Sequence, residues 1–358
     1  MITFIYANRN RDLNRIRLSL DSLQSQKEKN FSVSFVDYGS DPKYVDELDS
    51  LLSKYPFVIF FRLNVSHLLW NKSKALNYGI LQVSTPFIFI ADVDLLFHQA
   101  TTKQLEENCD LTGFGLYCLN YLSKEVSAKL IKENTFTDLQ VERKGDVNGM
   151  ILAPKKAFIK VNGYDEFFHF YGAEDVDLFD RIERAGYKRR KYPEKLFYHY
   201  WHPSFHGSDD KIITQKPRVE NIMRINEQHY FMNNKLKVIR PRRQPEIGSV
   251  IKMENSDLLK TPDKIYHIKN ILAQVEHFIH EVMPAEKGVI CVVFEGDPYF
   301  FSVKHKVKKL LKKQTQPYLS MKEVNDMLLK KIVFEYRNAN YSFKIAEDLK
   351  SIDFRIQL

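Results

Sequence analysis

The chain predicts an α/β fold: a mostly parallel sheet with helices on both faces, followed by a smaller C-terminal α+β region. Three observations carry this. Across residues 1–91 short apolar runs alternate with segments whose apolar residues recur at helical spacing, the pattern of strands linked by crossover helices. Pro86-Phe-Ile-Phe-Ile-Ala91 is apolar throughout, as a strand covered on both faces must be. Beyond Arg240-Pro-Arg-Arg-Gln-Pro245, a basic stretch punctuated by proline, the texture changes. The expected organisation is therefore a first domain over 1–240, a linker over 241–262 and an accessory α+β domain over 263–358.

The elements follow in order. Ile2–Tyr6 is a short apolar strand running straight into Arg9-Asn-Arg11, with no apolar core or cleavage site of a signal peptide. Over Asp12–Gln26, Leu13, Ile16, Leu20 and Leu23 mark a helix. Phe31–Val36 alternates and stops at the turn cluster Asp37-Tyr-Gly-Ser40. Tyr44–Tyr55 reads as a helix, Val58–Phe61 as a strand, Lys72–Leu81 as a helix and Pro86–Ala91 as the buried strand. A second block runs from Asp146 to about Arg240, where Leu178, Ile182 and Ala185 share one helical face. After the linker, Ile265–Met283 reads as a helix, Val289–Glu295 as a strand, Ser302–Lys313 as an intensely basic helix and Met321–Lys331 as another. Two strands close the chain.

Composition limits the function classes. With 358 residues, 44% hydrophobic and 28% charged, the chain is too long for one ordinary core and is neither collagen-like, low-complexity nor polytopic in a membrane. Cys109, Cys118 and Cys291 form no C-x-x-C pair and no zinc spacing, which points to a reducing compartment and a cytoplasmic location. The net charge of +9 suits phosphorylated ligands, nucleic acid or an anionic membrane face without choosing among them.

In open α/β sheets ligands sit beyond the carboxyl ends of the strands, so the residues there are the candidates for binding and chemistry. Arg9 and Arg11 offer planar forks to a base, ribose or phosphate, and equally suit a solvated loop. Asp37 can accept from a pyrimidine N–H, yet Asp-x-Gly-Ser is also ordinary turn chemistry. Asp92-Val-Asp94 directly follows the buried strand, where two carboxylates can hold a hard divalent cation that also binds a diphosphate. A second copy, Asp175-Val-Asp177, opens a helix instead. Glu174 and Asp175 fall in that helix's first turn, where its dipole favours carboxylates. Tyr198-His199-Tyr-Trp201-His202-Pro-Ser-Phe-His206 holds three histidines in eight residues, a metal-ligand candidate or a partly buried strand edge.

Taken in order, these segments resemble inverting glycosyltransferases of the GT-A fold (family 2 type), particularly the β-1,4-galactosyltransferases and the bacterial chondroitin-polymerase-type enzymes. Arg9-Asn-Arg11 matches R-N-R, and Trp70-Asn-Lys-Ser-Lys-Ala-Leu-Asn77 matches F-N-R-A-K-L-L-N. Asp92-Val-Asp94 matches D-V-D, and Asn162-Gly-Tyr164 with Gly172-Ala-Glu-Asp175 matches N-G-F with G-G-E-D. The likeness covers roughly residues 1–210 and implies a Rossmann-like mixed sheet. It implies nucleotide-sugar contacts from Ala7, Arg9, Arg11, Asp37, Trp70, Lys72, Asp92, Val93 and Asp94. It further implies a metal, Mn²⁺ or Mg²⁺, on Asp94 and His199 (His202 second), with Asp175 as general base. Glu174 would be an acceptor-binding carboxylate and Tyr171 an aromatic platform for an acceptor sugar. The chain departs from the pattern at Ala173, which replaces a glycine, and at Tyr171, which replaces a tryptophan.

The implied activity is transfer of a hexose or N-acetylhexosamine from a UDP-sugar to a saccharide or lipid-linked acceptor, in bacterial surface polysaccharide or glycan synthesis. Nucleic acid is not an expected partner. Two other classes compete: a nucleotidyltransferase, which usually carries a glycine-rich phosphate loop not found near this N-terminus, and a basic nucleic-acid-binding protein supported by Lys304–Lys313. Ser302–Lys313 carries Val303, Val307, Leu310 and Leu311 at i, i+4, i+7 and i+8 among six lysines. It reads either as a peripheral contact with the inner membrane face or as a helix whose apolar stripe packs on its own domain.

Overall fold

A seven-stranded mixed sheet organises the first of two units. It is built from β1 (Ile2–Asn8), β2 (Phe31–Tyr38), β3 (Val58–Leu63), β4 (Phe87–Ala91), β6 (Gly113–Tyr117), β9 (Ile151–Pro154) and β10 (Lys188–Tyr192). Their order is β10-β6-β9-β4-β1-β2-β3. The structure, a computed structural model, describes all residues except 134, 138, 146–148, 204–209, 249 and 251–252. His206 and Asp146 therefore lie outside the described residues. The first unit comprises Met1–Leu63, Trp70–Ser204 and Ile225–Gly248, and the second Asn64–Leu69, Phe205–Arg224 and Ser249–Leu358.

β1 pairs in parallel with β2 and β4, and β2 with β3, while β9 runs antiparallel to both β4 and β6. The helices α1 (Leu13–Gln24), α2 (Pro42–Leu52) and α3 (Lys72–Gln82) connect the parallel strands. The expected spacing in α1 holds: Ile16, Leu20 and Leu23 are fully buried, and Asp12 caps the helix by accepting from the Arg15 amide. Side chains alternate across β1 and β4 into two separate cores. Phe4, Tyr6 and Phe89 enter one, and Ile5, Ile88 and Ile90 the other. Each such side chain contributes roughly 1.5–3 kcal/mol on burial, which is why these strands read as continuous apolar runs.

A second sheet of the same unit, in the order β5-β11-β7-β8, uses β5 (Leu95–Phe97), β7 (Leu119–Leu122), β8 (Val141–Gly145) and β11 (Phe197–His199). Its antiparallel pair sets His199 opposite Leu95, so β11 delivers the histidine segment beside the residue after Asp94. Among the described residues the unit also holds the helices α4 (Thr101–Glu107), α5 (Lys124–Glu133), α6 (Lys155–Lys160) and α7 (Glu174–Arg184), and from Ile225 onward α8 (Ile222–Lys235).

The other unit carries the sheet β12-β13-β15-β14, from β12 (Lys264–Lys269), β13 (Val289–Glu295), β14 (Tyr341–Ile345) and β15 (Ser351–Gln357). The expected helix over Ile265–Met283 is corrected here: residues 264–269 form a strand parallel to β13, and the helix begins at Leu272. Ile265, Ile268, Leu272, Val275 and Ile279 recur at helical spacing, but pairing with β13 satisfies the backbone of the first six residues. Buried Asn270 then ends the strand by bonding the Leu319 carbonyl and the Asp297 amide. Ser320 and Glu323 form a capping box on the helix Met321–Lys331. In the stretch 241–248, Gln244 donates to the carbonyls of Asn162 and Tyr164 and accepts from the Glu166 amide at 2.7 Å.

Candidate active site

The chain leaves the sheet at Ala91, and Asp92-Val-Asp94 turns over its carboxyl end into β5. Val93 is buried and pins the turn, so the two carboxylates point elsewhere than the core. Asp94 Oδ2 lies 3.2 Å from His202 Nε2, and its Oδ1 lies 3.8 Å from His199 Nε2. One ligand atom from each of the three side chains falls within 4.8 Å of the others. Burial pushes the Asp94 carboxyl up, but the His202 hydrogen bond and the positive fields of His199, His202 and Arg11 outweigh it and hold it at about 2. Burial lowers His199, whereas the hydrogen bond to Asp94 raises His202. Among the described residues, Asp94 Oδ1 is buried with no hydrogen-bond partner. A permanently ionised carboxylate with an orphaned oxygen beside two imidazoles is a donor set that suits a divalent transition ion.

A second cluster is centred on Lys72, the first residue of α3. Asn71 caps that helix by accepting from the Lys74 amide at 2.9 Å, which fixes where Lys72 emerges. Lys72 Nζ lies 2.8 Å from Asp92 Oδ1 and 3.9 Å from Glu174 Oε1. Desolvation works against its charge, but the fields of Asp175, Asp92 and Glu174 prevail and raise it well above the ordinary lysine value. Asp175 is pushed up to about 7, chiefly by desolvation, with Lys72 pulling down and Glu174 and Asp92 adding to the rise. Its Oδ1 is buried and, among the described residues, has no hydrogen-bond partner. Gly149 makes room for it, since a Cβ there would stand 2.8 Å from Asp175 Oδ2. Asp92 links the two clusters, its charge acting on both His199 and Asp175.

The loop entering α7 is tightly bent. Phe170 and Ala173 both have positive φ, 63° and 69°, conformations unfavourable for side chains with a Cβ. Glu174 accepts from the Gly172 amide at 3.0 Å, and Asn226 donates to the carbonyls of His169 and Tyr171 at 3.1 and 3.0 Å. These bonds hold the ring of Tyr171 outward, 53% exposed, beside the Lys72 cluster.

The two D-x-D copies separate cleanly. Asp177, on the inner face of α7, is fully buried, pairs with Arg181 at 2.6 Å and accepts from Asn233 at 3.0 Å. Arg181 in turn holds the carbonyls of Val161 and Gly163. That copy therefore braces the loop, while Asp92 and Asp94 face the site. Of the other expected nucleotide contacts, Asp37 is buried and already engaged: it accepts from Asn8 at 2.7 Å and from the amide and hydroxyl of Ser40. Ala7 and Arg9 are half-buried, Arg11 is exposed, and Trp70 packs edge-on against Tyr38 at 5.8 Å.

Sequence reasoning singled out neither Asn71 nor Asn77 as a brace, and missed Asn226 and Glu166 altogether. Asn77 bonds the backbone of Tyr164 at 2.7 and 2.9 Å and Glu166 at 3.1 Å, and Asn71 donates to the Glu166 carbonyl at 2.8 Å. Asn71, directly ahead of the helix, carries the ordinary N-cap signal, but nothing local marks its bond to Glu166 or the role of Asn77. Nothing local marks Asn226.

Residues 129–203 match the model of the N-terminal domain of galactosyltransferase. Among solved structures, S. aureus TarS is 16% identical with a TM-score of 0.42, over 56% of this chain and 36% of that one. The mannosyltransferase PcManGT from Pyrobaculum calidifontis, in complex with GDP-Man and Mn²⁺, is 14% identical with a TM-score of 0.45, over 93% and 86%. GalNAc-T7 with UDP, GalNAc and Mn²⁺ is 12% identical with a TM-score of 0.44, over 57% and 43%. The chain thus spans less than half the length of TarS and of GalNAc-T7. The matched segment contains Tyr171, Glu174, Asp175, His199 and His202, and over that segment the chain resembles the galactosyltransferases.

Proposed function

We propose that the chain is a metal-dependent inverting glycosyltransferase that moves a hexose or N-acetylhexosamine from a UDP-sugar to a saccharide acceptor. The observation that supports this best is the pairing of a carboxylate pushed up to about 7 with a separate Asp-His-His ligand set in one domain. An inverting displacement needs a base for the acceptor hydroxyl and a counter-charge for the departing diphosphate. Asp175, in balance between protonated and ionised near neutral pH, takes the proton. Tyr171 offers the acceptor ring a stacking face, and Glu174 accepts from its hydroxyls. Lys72 holds Asp92 in place and keeps the field around Asp175 from rising further. Asp94, His199 and His202 would hold a divalent ion, which when bound would supply Lewis-acid stabilisation of the diphosphate, with Mn²⁺ favoured because imidazole is an uncommon Mg²⁺ ligand. The UDP preference and a role in polysaccharide synthesis rest on the sequence resemblance.

The test is a panel of nucleotide sugars incubated with a saccharide acceptor, with and without Mn²⁺, read by nucleotide release and by the anomeric configuration of the product. Mn²⁺-dependent release from a UDP-sugar with inversion is the expected result. Turnover independent of any divalent ion, or retention at the anomeric carbon, overturns it.

A further inference from the structure

The C-terminal unit presents an amphipathic helix the wrong way round. In the helix Val303–Leu310, apolar residues would ordinarily face the domain. Instead Val303 is 75% exposed, Val307 47%, Leu310 82% and Leu311, its C-cap, 58%. At about 100° per residue these four side chains fill one arc about 100° wide. The side that docks is the opposite one and is carried by a histidine. His305, roughly 170° from the centre of that arc at the same turn angle, is 6% exposed. Its ring is enclosed by Tyr299, Phe300 and Tyr318 at 5.6, 5.5 and 5.2 Å, and its Nδ1 meets the Phe300 carbonyl at 3.1 Å. Ser302 caps the helix by accepting from the His305 amide at 3.1 Å. The orientation is therefore fixed by a cap and an aromatic cage, and the apolar arc is held outward. The reading in which this stripe packs on its own domain is corrected by these exposures.

The charge around the arc is of one sign. Lys304 and Lys306 flank it, Lys308 and Lys309 follow, and Lys312 and Lys313 extend the row past the helix end. The nearest acidic residues along the chain are Asp297 and Glu323, so the whole interval lacks a carboxylate. We propose that this face docks on a bilayer carrying anionic lipid, with Val303, Val307, Leu310 and Leu311 entering the headgroup–acyl boundary and the lysines meeting lipid phosphates. A polyanion such as nucleic acid uses the lysines but has no place for four exposed aliphatic side chains, whereas an interfacial helix uses both. The lysine stems also cover apolar surface while their ammonium groups stay at headgroup level. Without a bilayer this contiguous apolar patch, rimmed by charge, would remain in water. The inference goes beyond the transfer reaction and does not depend on it.

The experiment is flotation of the full chain with vesicles of equal parts phosphatidylglycerol and phosphatidylcholine, at low and high salt, against vesicles of phosphatidylcholine alone. Binding to the anionic vesicles at low salt, weakened at high salt, is expected. The variant Lys304→Gln/Lys306→Gln should weaken it by about fivefold per lysine. The variant Val303→Ser/Leu310→Ser keeps every charge and removes only solvent-facing side chains, so it should fold normally, by circular dichroism, and still lose at least tenfold in vesicle binding. No flotation at low salt overturns the proposal. So does flotation that the serine variant leaves unchanged while duplex DNA competes for it, since that marks a polyanion surface. A concentration-dependent dimer by light scattering that the serine variant abolishes, without vesicle binding, overturns it in favour of self-association.

Discussion

Asp175→Asn should make the protein more stable and at the same time nearly inactive, and the stability gain should depend on pH in one direction. In the folded chain the carboxyl titrates at about 7, against 3.8 for the ordinary group. The unfolded chain thus gives up this proton first as pH rises. Stability contributed by the protonated form is fully present below about pH 4, falls between about pH 4 and 7, and is gone above. A rise of about 3 pK units corresponds to about 4 kcal/mol at roughly 1.4 kcal/mol per unit. The pull of Lys72 on this carboxylate is already contained in that rise, so asparagine removes the whole penalty. The gain at about pH 8 should therefore reach up to about 4 kcal/mol, a rise of about 10 °C in the melting temperature. Near pH 4 wild type and variant should melt together. Thermal unfolding followed by circular dichroism at both pH values decides it, and a variant that is less stable at pH 8, or shifted equally at both, refutes the burial argument. Turnover should fall by about 10²–10⁴-fold with UDP affinity within a few-fold. Turnover kept within a few-fold would assign the base elsewhere.

Further outcomes follow from the same geometry. Asp94→Ala should abolish Mn²⁺-dependent UDP binding in titration calorimetry, and His199→Ala and His202→Ala should each weaken it at least tenfold; an unaltered affinity in one histidine variant removes that residue from the ligand set. Asp177→Asn should cost about 3–5 kcal/mol in urea unfolding, because it strands the buried Arg181 guanidinium, while leaving Mn²⁺ affinity of the folded protein unchanged. Loss of metal binding without loss of stability would mean the two D-x-D copies have exchanged roles. Ala173→Gly relieves a side chain held at φ 69° and should stabilise the domain by about 1 kcal/mol, read as a higher melting temperature; no change would mean that the loop bears no strain there.

The parallel half of the sheet is written in the chain's own apolar patterning. β1, β2, β3 and β4 and the helices between them were legible, because a strand covered on both faces and a helix covered on one leave distinct apolar periods in the chain. The same patterning also places Asp92 and Asp94 at a strand end, and the carboxylates Glu174 and Asp175 at a helix start. What meets these side chains was set by long-range packing. Both His199 and His202 reach Asp94 because β11 pairs with β5, a contact between segments whose own periodicity says nothing of each other. Asp175 and Asp177 look alike in sequence, yet α7 turns one toward Lys72 and the other toward Arg181. The asparagines that brace the loop, Asn71, Asn77 and Asn226, bond backbone groups distant in the chain and so leave no local pattern. Residues 264–269 had helical spacing and became a strand, since the hydrogen bonds offered by β13 are long-range. The helix Val303–Leu310 makes the same point from the other side. Its apolar period was plain, but the direction in which that arc faces was set by the aromatic cage around His305. A local period reports that one face differs from the other, and only packing against partners elsewhere in the chain says which face is turned inward.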